Sequence, residues 1–250
     1  MDWGAWGRRI ADSANRFWNG SGEKKPWLRR VLALVLFLLI PSPVLYLLLF
    51  RFLPIPFTPE MVINAVTLNA THYAWAGDSV SPYLGQAVIA SEDQKFCFHH
   101  GFDWQSIDKA IKTHERHPKK KLRGASTLSQ QTARTLFLVS WRSWMRKGVE
   151  AYLTVLMEFF WSKDRILEAY VNTVDFGNGN YGAEAAARSY FGIPASALNP
   201  YQAARLAAIL PNPHYYNAVR PGPYVARQTR IIVGRMAVVR RDGLAACIGH

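Results

Sequence analysis

Acidic residues are scarce in this 250-residue chain: 17 Asp and Glu stand against 30 Lys and Arg, a formal net charge of +13. That balance implies an anionic partner: nucleic acid, a phospholipid surface or a phosphorylated substrate. Nucleic acid is the weakest of the three, because zinc-finger, RNP and basic-zipper patterns are missing. Cysteine is nearly absent as well. Cys97 and Cys247 make no C-x-x-C and no disulfide framework, and their spacing leaves open whether they pair in an oxidising compartment. No His-Glu-x-x-His occurs, and Cys97, His99 and His100 lie too close together to close on one zinc ion without distant partners. The G-x-x-x-x-G-K of a Walker loop is also missing. Strand-like alternation is confined to Met61–Leu68, no internal repeat is found, and the rest alternates helical patterns with short loops.

What is present begins with a long apolar run. Val31 to Phe50 carries no charge and is long enough to cross a bilayer core of about 30 Å as a helix. Pro41 and Pro43 predict a kink rather than a failed span. A cleaved signal peptide is the competing reading, but the run is too long and no small-residue cleavage site follows. Arg8, Arg9, Arg16, Lys24, Lys25, Arg29 and Arg30 precede it, and only Arg51 is basic between it and Lys95. The positive-inside rule therefore places the N-terminus in the cytoplasm and the bulk of the chain outside. Three segments are expected: a basic cytoplasmic one over 1–30, a transmembrane helix over 31–53, and an extracytoplasmic domain over 54–250. Within the first, Trp3, Trp6, Ile10, Ala14 and Phe17 fit either a surface amphipathic helix or a basic tail. Pro54–Pro59 reads as an extended linker.

The stretch Ala90–Asp103 organises the remainder. Ser81 and Pro82 open a helix through Leu84, Ala87 and Val88 that ends near Glu92 and Asp93. A carboxylate at a helix C-terminus faces the negative dipole end. With Phe96 and Phe98 nearby, Glu92 is expected to hold its proton more tightly than in water, as a general acid or base requires. Asp103 caps the next helix, Trp104–Thr113. His114–Arg123 is a basic loop, either solvated or set against phosphate. Gly124–Leu138 follows, with Ser126 as the expected cap and Gln130, Gln131, Thr127 and Arg134 crowding a helix start suited to anions. Ser140–Glu158 reads as a long, largely buried helix whose Arg146, Lys147, Glu150 and Thr154 share one narrow face, either as an ion pair or as the lining of a cleft. Ser162 caps Lys163–Val171, which ends at Asn172. Gly177, Gly179 and Gly182 mark a loop before a helix at Ala183–Phe191. Asn199–Pro200 starts a helix that stops at Pro211, and a basic helix spans about Tyr224–Arg241, its arginines solvated or membrane-facing.

Taken in order, these stretches resemble the peptidoglycan glycosyltransferases of glycosyltransferase family 51 in their short, membrane-anchored form. The motifs are Glu92-Asp93-x-x-Phe96-x-x-His99-x-Gly101-x-Asp103, Gly124-x-Ser126-Thr127-x-x-Gln130-Gln131, Arg146-Lys147-x-x-Glu150 and Ile166-Leu167-Glu168-x-Tyr170-x-Asn172. The resemblance covers residues 60–220. It implies a mainly α, lysozyme-like helical domain with a smaller membrane-associated lobe. It also implies inverting polymerisation of lipid II into β-1,4 glycan strands, with undecaprenyl pyrophosphate leaving. By position Glu92 matches the general base and Glu150 the second acid on the donor side. Asp93, Phe96, His99, Ser126, Thr127, Gln131, Arg134, Arg146 and Lys147 fall at substrate-contacting positions. A divalent cation, Mg2+ or Mn2+, is expected with the substrate pyrophosphate, and no metal ligand is assigned. Expected partners are lipid II, the growing strand and membrane lipids, with cell-wall synthesis or division proteins beside them, at the bacterial cytoplasmic (inner) membrane.

The chain departs from the family pattern at Arg134-Thr135, where Lys-Asn is usual, at Gln202, where an acid is common, and at Cys97 and Phe98, which make the first motif more apolar. No transpeptidase half is expected; the Ser-x-x-Lys at Ser21–Lys24 lies before the apolar run. Two other readings compete: a lysozyme-like hydrolase, also built on glutamates, and a catalytically degenerate scaffold, for which Thr135 is the only support.

Overall fold

A computed structural model describes residues 26–67, 69–117, 126–139 and 143–248. The N-terminal basic segment up to residue 25, the basic run 118–123 with Gly124, and Ser140–Arg142 lie outside the described residues. The chain divides into two units, residues 1–45 and 46–250.

The apolar run forms two helices, α1 (Pro26–Leu39) and α2 (Pro41–Leu49). They break at Ile40, because a residue before proline is pushed out of the α region. Together Trp27–Leu49 is long and apolar enough to cross a membrane. The compact second unit takes in the end of this run. Trp161 Nε1 donates to the Leu47 carbonyl at 2.7 Å. The Arg165 guanidinium donates to the Phe50 carbonyl at 2.8 Å and the Leu53 carbonyl at 2.6 Å. The linker that follows is extended yet packed, with Ile55 and Thr58 fully buried. Thr58 accepts from Met61 N and, with Pro59 at the first helical position, starts α3 (Pro59–Val66). The brief strand-like alternation at Met61–Leu68 is therefore helical through Val66; the alternation is the two-sidedness of a short amphipathic helix.

The strands found are β1 (His72–Tyr73) and β2 (Asn180–Tyr181), a parallel pair. The remaining elements are helices: α4 (Pro82–Glu92), α5 (Trp104–Arg116), α6 (Leu128–Phe137), α7 (Trp144–Phe160), α8 (Lys163–Thr173), α9 (Gly182–Phe191), α10 (Pro200–Ile209) and α11 (Pro223–Arg241). The mainly α architecture is the one expected. Asp103, Ser162 and Asn199 cap α5, α8 and α10 with their side chains as the sequence suggests. Two caps differ. The Ser81 hydroxyl donates instead to the Leu198 carbonyl at 2.8 Å, tying α4 to the start of α10. The cap of α6 is Thr127, not Ser126: Thr127 and Gln130 form a reciprocal capping box.

Helix α4 is the centre of the packing. It contacts α10 and α11 on one side and α8 on another, while α6 packs on α7 and α8. Leu84, Ala87, Val88, Ile89 and Ala90 are fully buried as a result. Helix α7 corrects the expectation of general burial. Of its residues, Glu150, Leu153, Thr154 and Met157 are buried, whereas Trp144 is 93% and Phe159 80% exposed. One face of α7 is spent on α6 and α8, and no described element covers the other. Helix α8 runs one residue past Asn172, whose amide is buried and accepts from Ala76 N at 2.9 Å.

Two constraints position the site from a distance. Gly177 has φ +86°, and a Cβ there would lie 2.0 Å from the Pro213 carbonyl oxygen, so only glycine lets these two segments meet. Cys97 and Cys247 are disulfide-bonded, joining the turn after Glu92 to the segment after α11.

Candidate active site

Glu92 closes α4, where burial of that helix carries its carboxyl away from water. Burial is the first cause that pushes its pKa above the usual carboxylate range; Asp93 adds to the rise, and Gln131 and Arg134 oppose it. The expected direction is therefore found. Its main source is desolvation, and Phe98, at 65% exposed, is no wall around it. Gln131 on α6 donates from Nε2 to Glu92 Oε2 at 3.0 Å. The hydroxyl of the buried Tyr170, on α8, donates to Gln131 Oε1 at 3.0 Å. That second bond orients the amide so that its N–H side meets the carboxylate. Two hydrogen bonds meeting at the Gln131 amide thus link three helices.

Asp93, His99 and Phe96 stand behind Glu92. Asp93 Oδ2 accepts from His99 Nε2 at 2.9 Å and from the backbone N of Leu128 at 3.0 Å, which stitches the first motif to the start of α6. Phe96 is fully buried, with Lys163 Nζ 4.6 Å from its ring centroid. Phe96 and His99, expected at substrate-contacting positions, both have buried side chains here. Asp93 lines a cavity, but its Oδ2 is committed to the brace. Thr127 is likewise buried, its hydroxyl donating to the Gly101 carbonyl at 2.6 Å.

Glu150 lies on the inner face of α7 and is 2% exposed. Arg146 Nη1 meets Oε2 at 3.1 Å, and Lys147 Nζ bonds Oε1. The narrow polar face expected from the spacing is present, with the Thr154 hydroxyl donating to the Glu150 carbonyl at 2.7 Å. Lys147 Nζ also donates to Ser126 Oγ at 3.2 Å, so Ser126 serves the cation rather than the helix cap. Arg146 Nε is buried and has no acceptor. Arg134 is exposed, and its side chain makes no hydrogen bond or ion pair with a described residue. A buried N–H without an acceptor costs about 1–3 kcal/mol, so this side of the site is arranged to receive an anion.

Two cavities flank this core. One of about 290 Å³ is lined by Glu92, Asp93, Lys95, Ser126, Thr127 and Arg235. Another of about 440 Å³ is lined by Gln131, Arg134, Thr135, Arg146, Asp175 and His214, among others. Gln131 joins them, bonding the carboxylate of the first while lining the second. Sequence reasoning missed Arg235, Asp175 and His214. Arg235 belongs to the arginines of the last helix, expected to be solvated or membrane-facing, and only the packing of α11 on α4 brings it to the cavity of Glu92. Asp175 and His214 pair at 3.0 Å through the Gly177 contact, which no local pattern announces. Among the described residues no group of three His, Cys, Asp or Glu is placed to hold a metal ion. Both oxygens of Glu150 already face cations, so these residues form no metal cage of their own.

The Transglycosylase family matches residues 60–237, and all the groups above fall inside that span. The chain belongs to this family. With membership comes the lysozyme-like helical domain. Among similar proteins are those named biosynthetic peptidoglycan transglycosylase from Caulobacter vibrioides, 48% identical over 88% of this chain and 96% of the relative, and from Rhodospirillum centenum, 47% identical over 87% and 93%. The protein of that name from Bacteroides thetaiotaomicron is 44% identical over 79% and 82%.

Proposed function

We propose that this chain is a peptidoglycan glycosyltransferase that polymerises lipid II into linear β-1,4 glycan strands, releasing undecaprenyl pyrophosphate. The observation that carries the reading is the pairing of a desolvated carboxylate, Glu92, with a separate cationic group whose buried Arg146 Nε lacks an acceptor. Glu92 takes the proton from the acceptor sugar hydroxyl as that oxygen attacks the donor anomeric carbon. Attack on the face opposite the diphosphate inverts that centre. Arg134, Arg146 and Lys147 meet the charge that develops on the departing diphosphate. Glu150 holds Arg146 and Lys147 in place. The donor carries its own leaving group, so no ATP is needed. A Mg2+ or Mn2+ ion enters only as a companion of the substrate diphosphate, where it neutralises charge.

Trp27–Leu49 serves as a membrane anchor, with the N-terminus cytoplasmic and the catalytic unit outside. The Cys97–Cys247 disulfide supports that side, since such bonds persist in oxidising compartments. Membrane lipids and cell-wall synthesis or division proteins are its expected neighbours. Hydrolysis of a neutral glycan gives Arg134 and Arg146 no task, which favours transfer over cleavage. The test is glycan ladders from lipid II with the detergent-purified full chain, with and without Mg2+. Ladders from the wild type and none from Glu92→Gln are expected. Equal turnover by that variant overturns the base assignment, and soluble fragments released from finished cell wall instead of ladders favour the hydrolase.

A further inference from the structure

A third cavity, of about 320 Å³, lies apart from the site described above, between the first turns of α4, the first half of α8 and the C-terminal segment. Its described lining holds three carboxylates, Asp78, Asp164 and Glu168, and no cationic side chain. That is unusual in a chain whose net charge is +13. The Gln86 amide lines it too. Gln86 is 7% exposed, and its Oε1 is buried with no hydrogen-bond partner among the described residues. We infer that this cavity is a binding site for an ammonium or guanidinium group on an alkyl stem, with Gln86 and Glu168 as its hydrogen-bond acceptors.

Each part of the wall calls for that chemistry. A buried carbonyl oxygen requires a donor. The Ser81 hydroxyl is already spent on the Leu198 carbonyl, so Gln86 has none from that side. Glu168 is half satisfied: Arg165 Nη1 donates to its Oε2 at 2.5 Å, and its Oε1 makes no hydrogen bond with a described residue. One arginine does not balance three acids. Burial is the first cause that raises the Glu168 pKa; Arg165 opposes it, and the charges of Asp78 and Asp164 add to it. A metal ion is the wrong form of positive charge, because among the described residues no three acids are placed to share one. A cation with several N–H donors reaches separated acceptors instead. The remaining wall is apolar, with Leu167, Val171 and Ile248 offering a surface to methylene groups. A Cβ at Gly85 would stand 3.2 Å from Leu167 Cδ2 and 3.8 Å from Ile248 Cδ1. Glycine thus keeps that side open, at a cost to the helix that carries it. The frame is preformed. Asn172 accepts from Ala76 N at 2.9 Å and donates to the Gly77 carbonyl at 3.4 Å, fixing the turn of Asp78 on α8. The Cys97–Cys247 disulfide anchors the neighbour of Ile248. Glu92 lies at the other end of α4, so the site stands independently of the proposed reaction.

Such a group has two sources, a Lys or Arg side chain of a partner protein and a free diamine, and the probes separate them. The methyl-labelled full chain in non-ionic detergent is titrated at constant ionic strength, and the methyl signals of Leu167, Val171 and Ile248 are followed. The probes are cadaverine, lysine and arginine capped at both backbone ends, and capped norleucine, which has the stem without the charge. The cations are expected to shift these signals saturably, and norleucine to leave them in place. Gln86→Met and Glu168→Gln should each weaken binding about tenfold, the worth of one hydrogen bond to a charged group. Glu168→Gln also disturbs Arg165, so thermal melting accompanies both variants. Gln86→Met should melt no lower than wild type, because it removes a buried oxygen that lacks a donor. Binding of capped lysine or arginine assigns the site to a protein side chain; binding of cadaverine alone assigns it to a free diamine. No shift with any cation, an equal shift with norleucine, or undiminished binding by Gln86→Met overturns the site.

Discussion

Replacing Gln131 by Leu tests the most specific contact in the site. Leu keeps most of the side-chain volume and removes the N–H that reaches Glu92 Oε2 at 3.0 Å. That bond favours the ionised carboxylate, against a burial that already raises its pKa. A base must be ionised to accept a proton, so the rate rises with pH through the Glu92 titration. Loss of the bond raises the pKa further and moves the rising limb to higher pH. A hydrogen bond to a charged group contributes about 1.5–3 kcal/mol, which is roughly 13- to 160-fold in kcat/KM at about 1.36 kcal/mol per tenfold. The upper part of that range is an overestimate, because Arg134 still favours the charged form. The assay is the pH profile of lipid II turnover. The deficit should appear below the wild-type limb and close above it. Leu also leaves the Tyr170 hydroxyl without its acceptor. The double variant Gln131→Leu/Tyr170→Phe should therefore recover melting temperature while keeping the displaced limb. A pH-independent loss of rate, or a limb displaced toward acid, refutes the reasoning.

Other consequences are checked by melting curves. Glu92 has a raised pKa in the fold, so its ionised form is less stable there than in the unfolded chain; the penalty is absent below the unfolded pKa and grows as pH rises through the folded one. Glu92→Gln should consequently melt higher than wild type at pH 7 and lose that advantage in acid, while abolishing ladders. Thr127→Ala removes a helix cap and the bond to the Gly101 carbonyl, and should cost about 1–2 kcal/mol, or roughly 2–8 °C in a chain of this size. Gly177→Ala should fail to fold or lose His214 from the cavity, since its Cβ would collide with the Pro213 carbonyl. Reducing Cys97–Cys247 should lower stability by about 2–5 kcal/mol, read as a lower melting temperature with dithiothreitol.

The helices were legible where a polar cap, a proline and an apolar period coincide, as at Asp103, Ser162 and Asn199–Pro200. They misled where two candidates stood side by side. Ser126 and Thr127 are equivalent on propensity, and only the partner three residues on, Gln130, selects Thr127. Met61–Leu68 was too short for its period to separate helix from strand until Thr58 and Pro59 were counted. Residues within one motif were found together because one helix face brings them together, as with Arg146, Lys147 and Glu150. The motifs did not reveal which members are buried. Phe96 and His99 sit in the same motif as Glu92 but are buried. Arg235 and the Asp175–His214 pair were invisible for the opposite reason: long stretches of chain separate them from Glu92, and tertiary packing alone places them.

The two glutamates share a residue type and part company in environment, and this divides their labour. Glu92 is buried with a neutral amide as its hydrogen-bond partner, so its charge is opposed and it holds its proton more tightly than an exposed carboxylate does. Glu150 is buried between two cations, and its task is to hold Arg146 and Lys147 where an anion arrives. Exchanging the environments would exchange the roles, since the chemistry resides in the neighbours. It follows that Glu150→Gln should do more than remove a carboxylate. It leaves Arg146 and the half-exposed Lys147 facing each other with no anion between them, a change that costs less than the about 3–5 kcal/mol of a fully buried pair because water screens Lys147. A bound diphosphate relieves that repulsion. Substrate or inorganic pyrophosphate should therefore raise the melting temperature of Glu150→Gln more than that of wild type. An equal rise in both would mean that Glu150 does not set the spacing of those cations, and that the anion is held by Arg134 and backbone alone.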